Sequence, residues 1–159
     1  DKMKTVIGKN CLIMAYVHVA HDCFIGDHCI LANAVQMAGH VTVGDFAIIG
    51  GSTAIHQFAT IGQHVMISGG SLVRKDVPPF TKSGREPLSY AGINSVGLRR
   101  RNYTDEQISV IQEAYRYLYL KGLNTNAALA EIEAQLPNTA ERNEILDFVK
   151  NSERGIMKG

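Results

Sequence analysis

Aliphatic residues recur at every sixth position through the first half of the chain: Ile7, Ile13, Val19, Ile25, Leu31, Met37, Val43, Ile49, Ile55, Ile61, Ile67 and Val73. Such a run is roughly a one-in-a-million accident. Four residues after each stands a small or β-branched residue, from Cys11, Val17, Cys23 and Cys29 to Ser71 and Val77. Glycine often follows the aliphatic (Gly8, Gly26, Gly44, Gly50, Gly62), where a tight corner is expected. A large inward residue, a corner and a small inward residue are what a narrow parallel β-solenoid needs. Each hexad predicts one short strand and a turn. Three hexads make a triangular coil, so residues 18 apart stack at about 4.8 Å.

The repeat ends at Val77, because Pro78-Pro79 cannot continue a ladder. Residues 78–103 carry Gly84, Pro87, Gly92 and Gly97 and read as an extended connector. Helices are expected in 104–159. Thr104 and Gln107 form a capping-box pattern, and Ile108, Ile111, Tyr115 and Leu118 make an apolar stripe that Gly122 ends. Leu129, Ile132 and Leu136 mark a second helix stopped by Pro137, and Ile145, Phe148 and Val149 a third. Tyr115, Tyr117 and Tyr119 cannot all face one side of a helix, so some should meet another surface. The expected class is mainly β with an α tail: a parallel β-helix over 1–77, a connector over 78–103 and a helical region over 104–159.

Composition narrows the function. Hydrophobic residues are 45% and charged residues 19%, a globular balance, with net charge +1. Neither half is a basic arm, which argues against bulk nucleic-acid binding. No apolar run reaches the length of a membrane span, and no signal peptide is visible. Cys11, Cys23 and Cys29 all fall in the small inward column. They read as buried thiols filling the solenoid in a reducing compartment.

All six histidines lie within the repeat and outside both inward columns. By the 18-residue rule, His21 stacks under Gly39 and Gly39 under Gln57. His21, Gly39-His40 and His56-Gln57 therefore form one patch, with His18 a short step away. His28 and His64 occupy another column and read as solvated corner residues. Gln57 is a poor zinc ligand, so the patch points to acid–base chemistry rather than to a metal. His21 is followed by Asp22, and a carboxylate on one ring nitrogen would orient the imidazole as a base. The pair can meet only if a corner bends the backbone there. Gly39 would let a reacting carbonyl approach a backbone N–H, as an oxyanion site requires. Arg99–Arg101 is the one basic run, suited to phosphate contact.

These residues carry a family resemblance. The hexapeptide repeat resembles the left-handed β-helix acyltransferases. Within them, His18-Val-Ala-His21-Asp22-Cys23, Leu31-Ala-Asn33, Ala38-Gly39-His40-Val41, Ile48-Ile-Gly50-Gly51, His56-Gln57-Phe58, Asp76-Val-Pro-Pro79 and Gly92-Ile-Asn94 through Arg101 are similar to the UDP-N-acetylglucosamine O-acyltransferases. The resemblance covers the whole chain. It implies transfer of an (R)-3-hydroxyacyl chain from acyl carrier protein to the 3-hydroxyl of UDP-N-acetylglucosamine, the first step of lipid A biosynthesis. It further implies His21 as general base, Asp22 as its orienting partner and the Gly39 N–H as oxyanion donor. His18, His40 and Gln57 would hold the sugar and phosphate region, and His56 would lie near the acyl channel. Asn94, Arg100 and Arg101 would contact the nucleotide, and Gly69 would set acyl length. A cytoplasmic homotrimer with sites between subunits is implied, with no cofactor and no metal. Val96 stands where some relatives carry an acidic residue. Relatives also carry further coils ahead of the first hexad, so this sequence is expected to be a C-terminal part of a longer chain. The alternative is an acetyl-CoA-dependent sugar O- or N-acetyltransferase on the same fold. A non-catalytic solenoid is disfavoured, because such modules repeat one outward residue, whereas positions 21, 39 and 57 are His, Gly and Gln.

Overall fold

The structure, a computed structural model, describes residues 3–159; the first two residues of the 1–77 stretch lie outside the described residues. Twelve two-residue strands follow one another at six-residue spacing and wind into three parallel sheets. The first sheet joins β1 (Val6–Ile7), β4 (Phe24–Ile25), β7 (Thr42–Val43) and β10 (Thr60–Ile61). The second joins β2 (Leu12–Ile13), β5 (Ile30–Leu31), β8 (Ile48–Ile49) and β11 (Met66–Ile67). The third joins β3 (His18–Val19), β6 (Gln36–Met37), β9 (Ala54–Ile55) and β12 (Leu72–Val73). The register is 18 residues throughout, as in Val6 opposite Phe24 and His18 opposite Gln36. Each coil donates to the next, for example from Val6 N–H to Cys23 C=O at 2.9 Å and from Gly26 N–H to Val43 C=O at 2.9 Å.

The aliphatic column fills the prism from Ile25 onward, where its members are buried. Cys23 and Cys29 are buried as expected, and each thiol donates to a backbone carbonyl of the next coil. Burial pushes the Cys29 thiol up to about 11, so it stays protonated and inert. At the N-terminal end the same column opens, and Ile7 is 46% and Ile13 38% exposed. Leu88 and Met157 join the core.

The corners differ from the sequence expectation. The residue in the left-handed region is not the glycine but the position three beyond the aliphatic: Asn10, Tyr16, Asp22, His28, Ala34, His40, Phe46, Ser52, Phe58 and His64 all have φ near +60°. This conformation costs a side-chain-bearing residue about 1 kcal/mol, and the ladder holds it. The glycines serve close approach instead. A Cβ on Gly62 would stand 2.5 Å from Pro79 N, where the next coil passes.

Residues 78–103 are more ordered than a connector. β13 (Thr81–Gly84) extends the second sheet parallel to β11 and pairs antiparallel with β14 (Ser89–Ile93). A short helix, α1 (Ser95–Arg100), follows. The other helices are those expected: α2 (Asp105–Tyr119), α3 (Thr125–Gln135) and α4 (Ala140–Asn151). The Thr104–Gln107 capping box opens α2. The four stripe residues of α2 are buried in a second core with Phe80, Leu98, Ile132 and Ile145. Tyr115 and Tyr119 share one face and stack with Tyr90, while Tyr117 lies under the Lys121 ammonium.

The graded burial gives a prediction. In this 159-residue chain, Ile49→Ala should cost about 3 kcal/mol by urea denaturation. Ile7→Ala, in the same column at the open end, should cost under about 1 kcal/mol.

Candidate active site at one edge of the β-helix

The edge between the third and first sheets carries the histidine patch. Asp22 adopts φ +59° at its corner, and the turned backbone brings the carboxylate back beside the preceding ring. His21 Nδ1 and Asp22 Oδ2 are 2.9 Å apart. The Asp22 carboxyl lies below the usual carboxylate range, chiefly through this hydrogen bond; partial burial opposes the effect, and the Met3 backbone and the His40 charge reinforce it. Ionised Asp22 accepts from Nδ1–H, which leaves the Nε2 lone pair as the basic atom.

Gly39 is buried directly against that ring: a Cβ there would lie 2.7 Å from His21 Nε2. Only glycine leaves room for His21 in this position. His40, one coil above Asp22, meets the His21 ring edge-to-face at 5.1 Å, and its Nε2 lies 3.8 Å from Asp22 Oδ2. Phe58, one further coil on, stacks on His40 at 4.6 Å. Its place follows from the 18-residue rule, which the histidine count alone did not exploit. His18 points outward from β3, and His56 and Gln57 sit exposed at the same edge. His21 is 72% exposed along its side chain and borders a cleft of about 400 Å³ lined by Met3, Lys4, Thr5 and Asp22. His21, Asp22 and His40 each offer one ligand atom within 4.8 Å of the others, so a metal could in principle be held there. His21 Nδ1 and Asp22 Oδ2 are already hydrogen-bonded to each other.

The remaining expected residues lie elsewhere on the chain. Asn94, Arg100 and Arg101 pack at the edge between the first and second sheets. Asn94 is buried; its Oδ1 caps α1 through Gly97 N–H and its Nδ2 donates to His64 C=O at 3.0 Å. Arg100 is exposed, whereas Arg101 lies 4.6 Å from the Phe46 ring centroid and donates to Gly97 C=O. Gly69 is exposed on the third edge, stacked over Gly51. One chain thus brings together His18, His21, Asp22, Gly39, His40, His56 and Gln57, and keeps Arg101 and Gly69 apart from them.

His64 departs from the expected solvated corner, though His28 keeps it. His64 is 3% exposed, between Phe46 and Phe80 in a ring stack that begins at His28, with the Tyr103 hydroxyl 3.3 Å from its Nε2. Its Nδ1 has no hydrogen-bond partner among the described residues. Burial, with the Arg101 charge, pulls its pKa down to about 4. The sequence reading also missed Arg154, whose guanidinium reaches His56 and Gln57 from the C-terminal tail. No periodicity links positions 98 residues apart.

Comparison with known proteins agrees with this fold. Residues 4–39 match the bacterial transferase hexapeptide family (six repeats), in keeping with the left-handed parallel β-helix fold that the chain shares with its structural neighbours. Residues 76–157 match UDP-N-acetylglucosamine O-acyltransferase, domain 2. The chain belongs to the UDP-N-acetylglucosamine O-acyltransferase family. It is 61% identical over 152 residues to the acyl-[acyl-carrier-protein]–UDP-N-acetylglucosamine O-acyltransferase of Sulfurihydrogenibium sp., covering 96% of this chain and 56% of that protein. It is 56% identical over 158 residues to the protein of the same name from Fusobacterium nucleatum, covering 99% and 62%. A crystal structure of a UDP-N-acetylglucosamine acyltransferase from Bacteroides fragilis superposes with a TM-score of 0.92 at 49% identity, covering 94% of this chain and 58% of that one. The chain therefore spans about three-fifths of the length of the relatives it matches.

His64 makes stability depend on pH. As pH falls from 6.5 towards about 4, the unfolded chain binds a proton there that the folded chain refuses, so stability drops across that window and levels off below it. His64→Phe keeps the ring stack and removes the unpartnered nitrogen. Urea midpoints should show the variant gaining on the wild type as pH falls through that window, with the two curves parallel above it.

Proposed function

We propose that the chain carries the catalytic edge of an acyltransferase that moves an (R)-3-hydroxyacyl chain from acyl carrier protein to the 3-hydroxyl of UDP-N-acetylglucosamine, the first step of lipid A biosynthesis. The observation that carries this reading is the His21–Asp22 pair, 2.9 Å apart and seated against Gly39, in a chain of this family. His21 Nε2 takes the proton of the sugar 3-hydroxyl as its oxygen attacks the thioester carbonyl carbon. Asp22 stabilises the imidazolium that forms. The Gly39 N–H donates to the tetrahedral oxyanion. When the C–S bond breaks, the imidazolium returns its proton to the departing thiolate. Ester and free carrier thiol result, so proton and bonds balance without cofactor or metal.

His18, His40 and Gln57 hold the sugar and phosphate region, and His56 borders the acyl chain. Arg100, the last residue of the helix that Asn94 caps, and Arg101, its C-cap, take the nucleotide phosphates. Gly69 leaves room for a long acyl chain. The spread of these groups over three edges of one prism supports a homotrimer, because only a second copy can bring an arginine edge to a histidine edge. The outward column of the second sheet supports it too: Leu12, Ile30, Ile48 and Met66 make an apolar ladder, with Leu12 and Met66 exposed. No helix among the described residues is long and apolar enough to cross a membrane, in keeping with a cytoplasmic enzyme acting on water-borne substrates.

The test pairs UDP-N-acetylglucosamine with hydroxyacyl-carrier proteins of graded chain length and reads products by mass spectrometry. It uses this chain and a chimera bearing a relative's N-terminal coils. A 3-O-hydroxyacyl product is expected, and His21→Ala should lower turnover by about 10³-fold or more with unchanged circular dichroism. Product from neither form, or product with acetyl-CoA instead, overturns the reading. Gly69→Met should shift the preferred donor to a shorter chain in the same assay.

A further inference from the structure

We propose that Arg154 is a positioning residue that fixes the tautomer of His56, so that His56 presents Nε2–H as a hydrogen-bond donor at the catalytic edge. The Arg154 Nη2 lies 3.2 Å from His56 Nδ1, and Nη1 donates to the Gln57 carbonyl. A guanidinium has no acceptor, so the ring nitrogen facing it must offer a lone pair. In a neutral imidazole the proton then sits on Nε2. A competing arrangement is built into the same corner, because the Gln57 carbonyl is 3.1 Å from Nδ1 and would accept from an Nδ1–H. The two arrangements exclude each other. Arg154 selects the first, since it supplies the donor to Nδ1 and satisfies the carbonyl that would otherwise draw the proton.

The arginine is held for this role by a pinned tail. Asp76 and Ile156 form a parallel bridge, Asp76 N–H donates to Gly155 C=O at 3.0 Å and Met157 N–H to Asp76 C=O at 2.9 Å. Lys75 Nζ donates to the Arg154 carbonyl at 2.8 Å, and Ser152 Oγ to the Asp76 carboxylate at 2.6 Å. Two exposed histidines of the edge, His21 and His56, thereby carry opposite faces. His21, with Asp22 on Nδ1, turns a lone pair outward. His56, with Arg154 on Nδ1, turns an N–H outward. One is equipped to take a proton, the other to hold an acceptor oxygen of a substrate. That last consequence rests on the acyltransferase reading; the tautomer does not.

Long-range proton–nitrogen NMR of the His56 ring at neutral pH tests the assignment without turnover. The wild-type chain should show the Nε2–H form. Arg154→Met should move the population to Nδ1–H, and Arg154→Lys, which keeps a donor and a charge, should restore most of the Nε2–H form. A wild-type ring in the Nδ1–H form, or ring shifts unmoved by Arg154→Met in a chain of unchanged melting temperature, overturns the proposal. Should Arg154→Met fail to fold, the wild-type and Arg154→Lys spectra decide. In the turnover assay, Arg154→Met should raise the KM of a substrate about tenfold with kcat nearly constant; equal loss in kcat would contradict the positioning role. Inactivity of both the wild-type chain and the chimera would remove the acyltransferase reading and leave the tautomer assignment standing on its spectra.

Discussion

The parallel ladder at 18-residue register is the constraint on which the rest of the molecule depends. Each strand contributes two residues, too few to be stable alone, and gains order only from the coils on either side. The register aligns the aliphatic column into a dry interior and, by the same operation, aligns every outward position into columns. Thus Asp22, His40 and Phe58 stack at one edge, and His28, Phe46 and His64 at another. The corners of the prism sit in the left-handed region because the hydrogen-bonded strands on both sides leave no alternative.

The edges differ in what covers them, and chemistry follows coverage. The edge between the first and second sheets is roofed by α1 and Tyr103, and there His64 is dry, neutral and structural. The edge between the third and first sheets is open, and there His21 and His56 reach solvent with their ring nitrogens assigned by Asp22 and Arg154. The same residue type, in the same repeat, is buried in one column and open to solvent in the next. On the proposed reading, the open edge is completed by the arginine-bearing edge of another copy.

Much of this was legible in the sequence. The strands, the inward cysteines and the cluster around His21 follow from period and stacking, and the capping box at Thr104 from its local motif. The misses share a physical origin. His64 looked solvated because burial there comes from residues 80 and 103, which lie outside the repeat. The strands of 78–103 were hidden because β13 borrows its partner from β11 rather than continuing the hexads. The glycines were assigned a backbone role that belongs to the residue two positions on, since one hexad cannot reveal what the next coil touches. Arg154 belongs to a tail whose docking is set by backbone bridges, which leave no side-chain pattern.

Complementation between inactive chains tests the shared edge most directly. A His21→Ala chain and a chain with Arg100→Ala and Arg101→Ala, each inactive alone in the catalytically competent form, are mixed, unfolded and refolded together. If one copy's His21 works against another copy's arginines, random assembly at equal amounts regenerates about a quarter of the intact interfaces. Activity should return to that order. No recovery at any mixing ratio, with mixed oligomers confirmed by mass, would contradict a site built between copies.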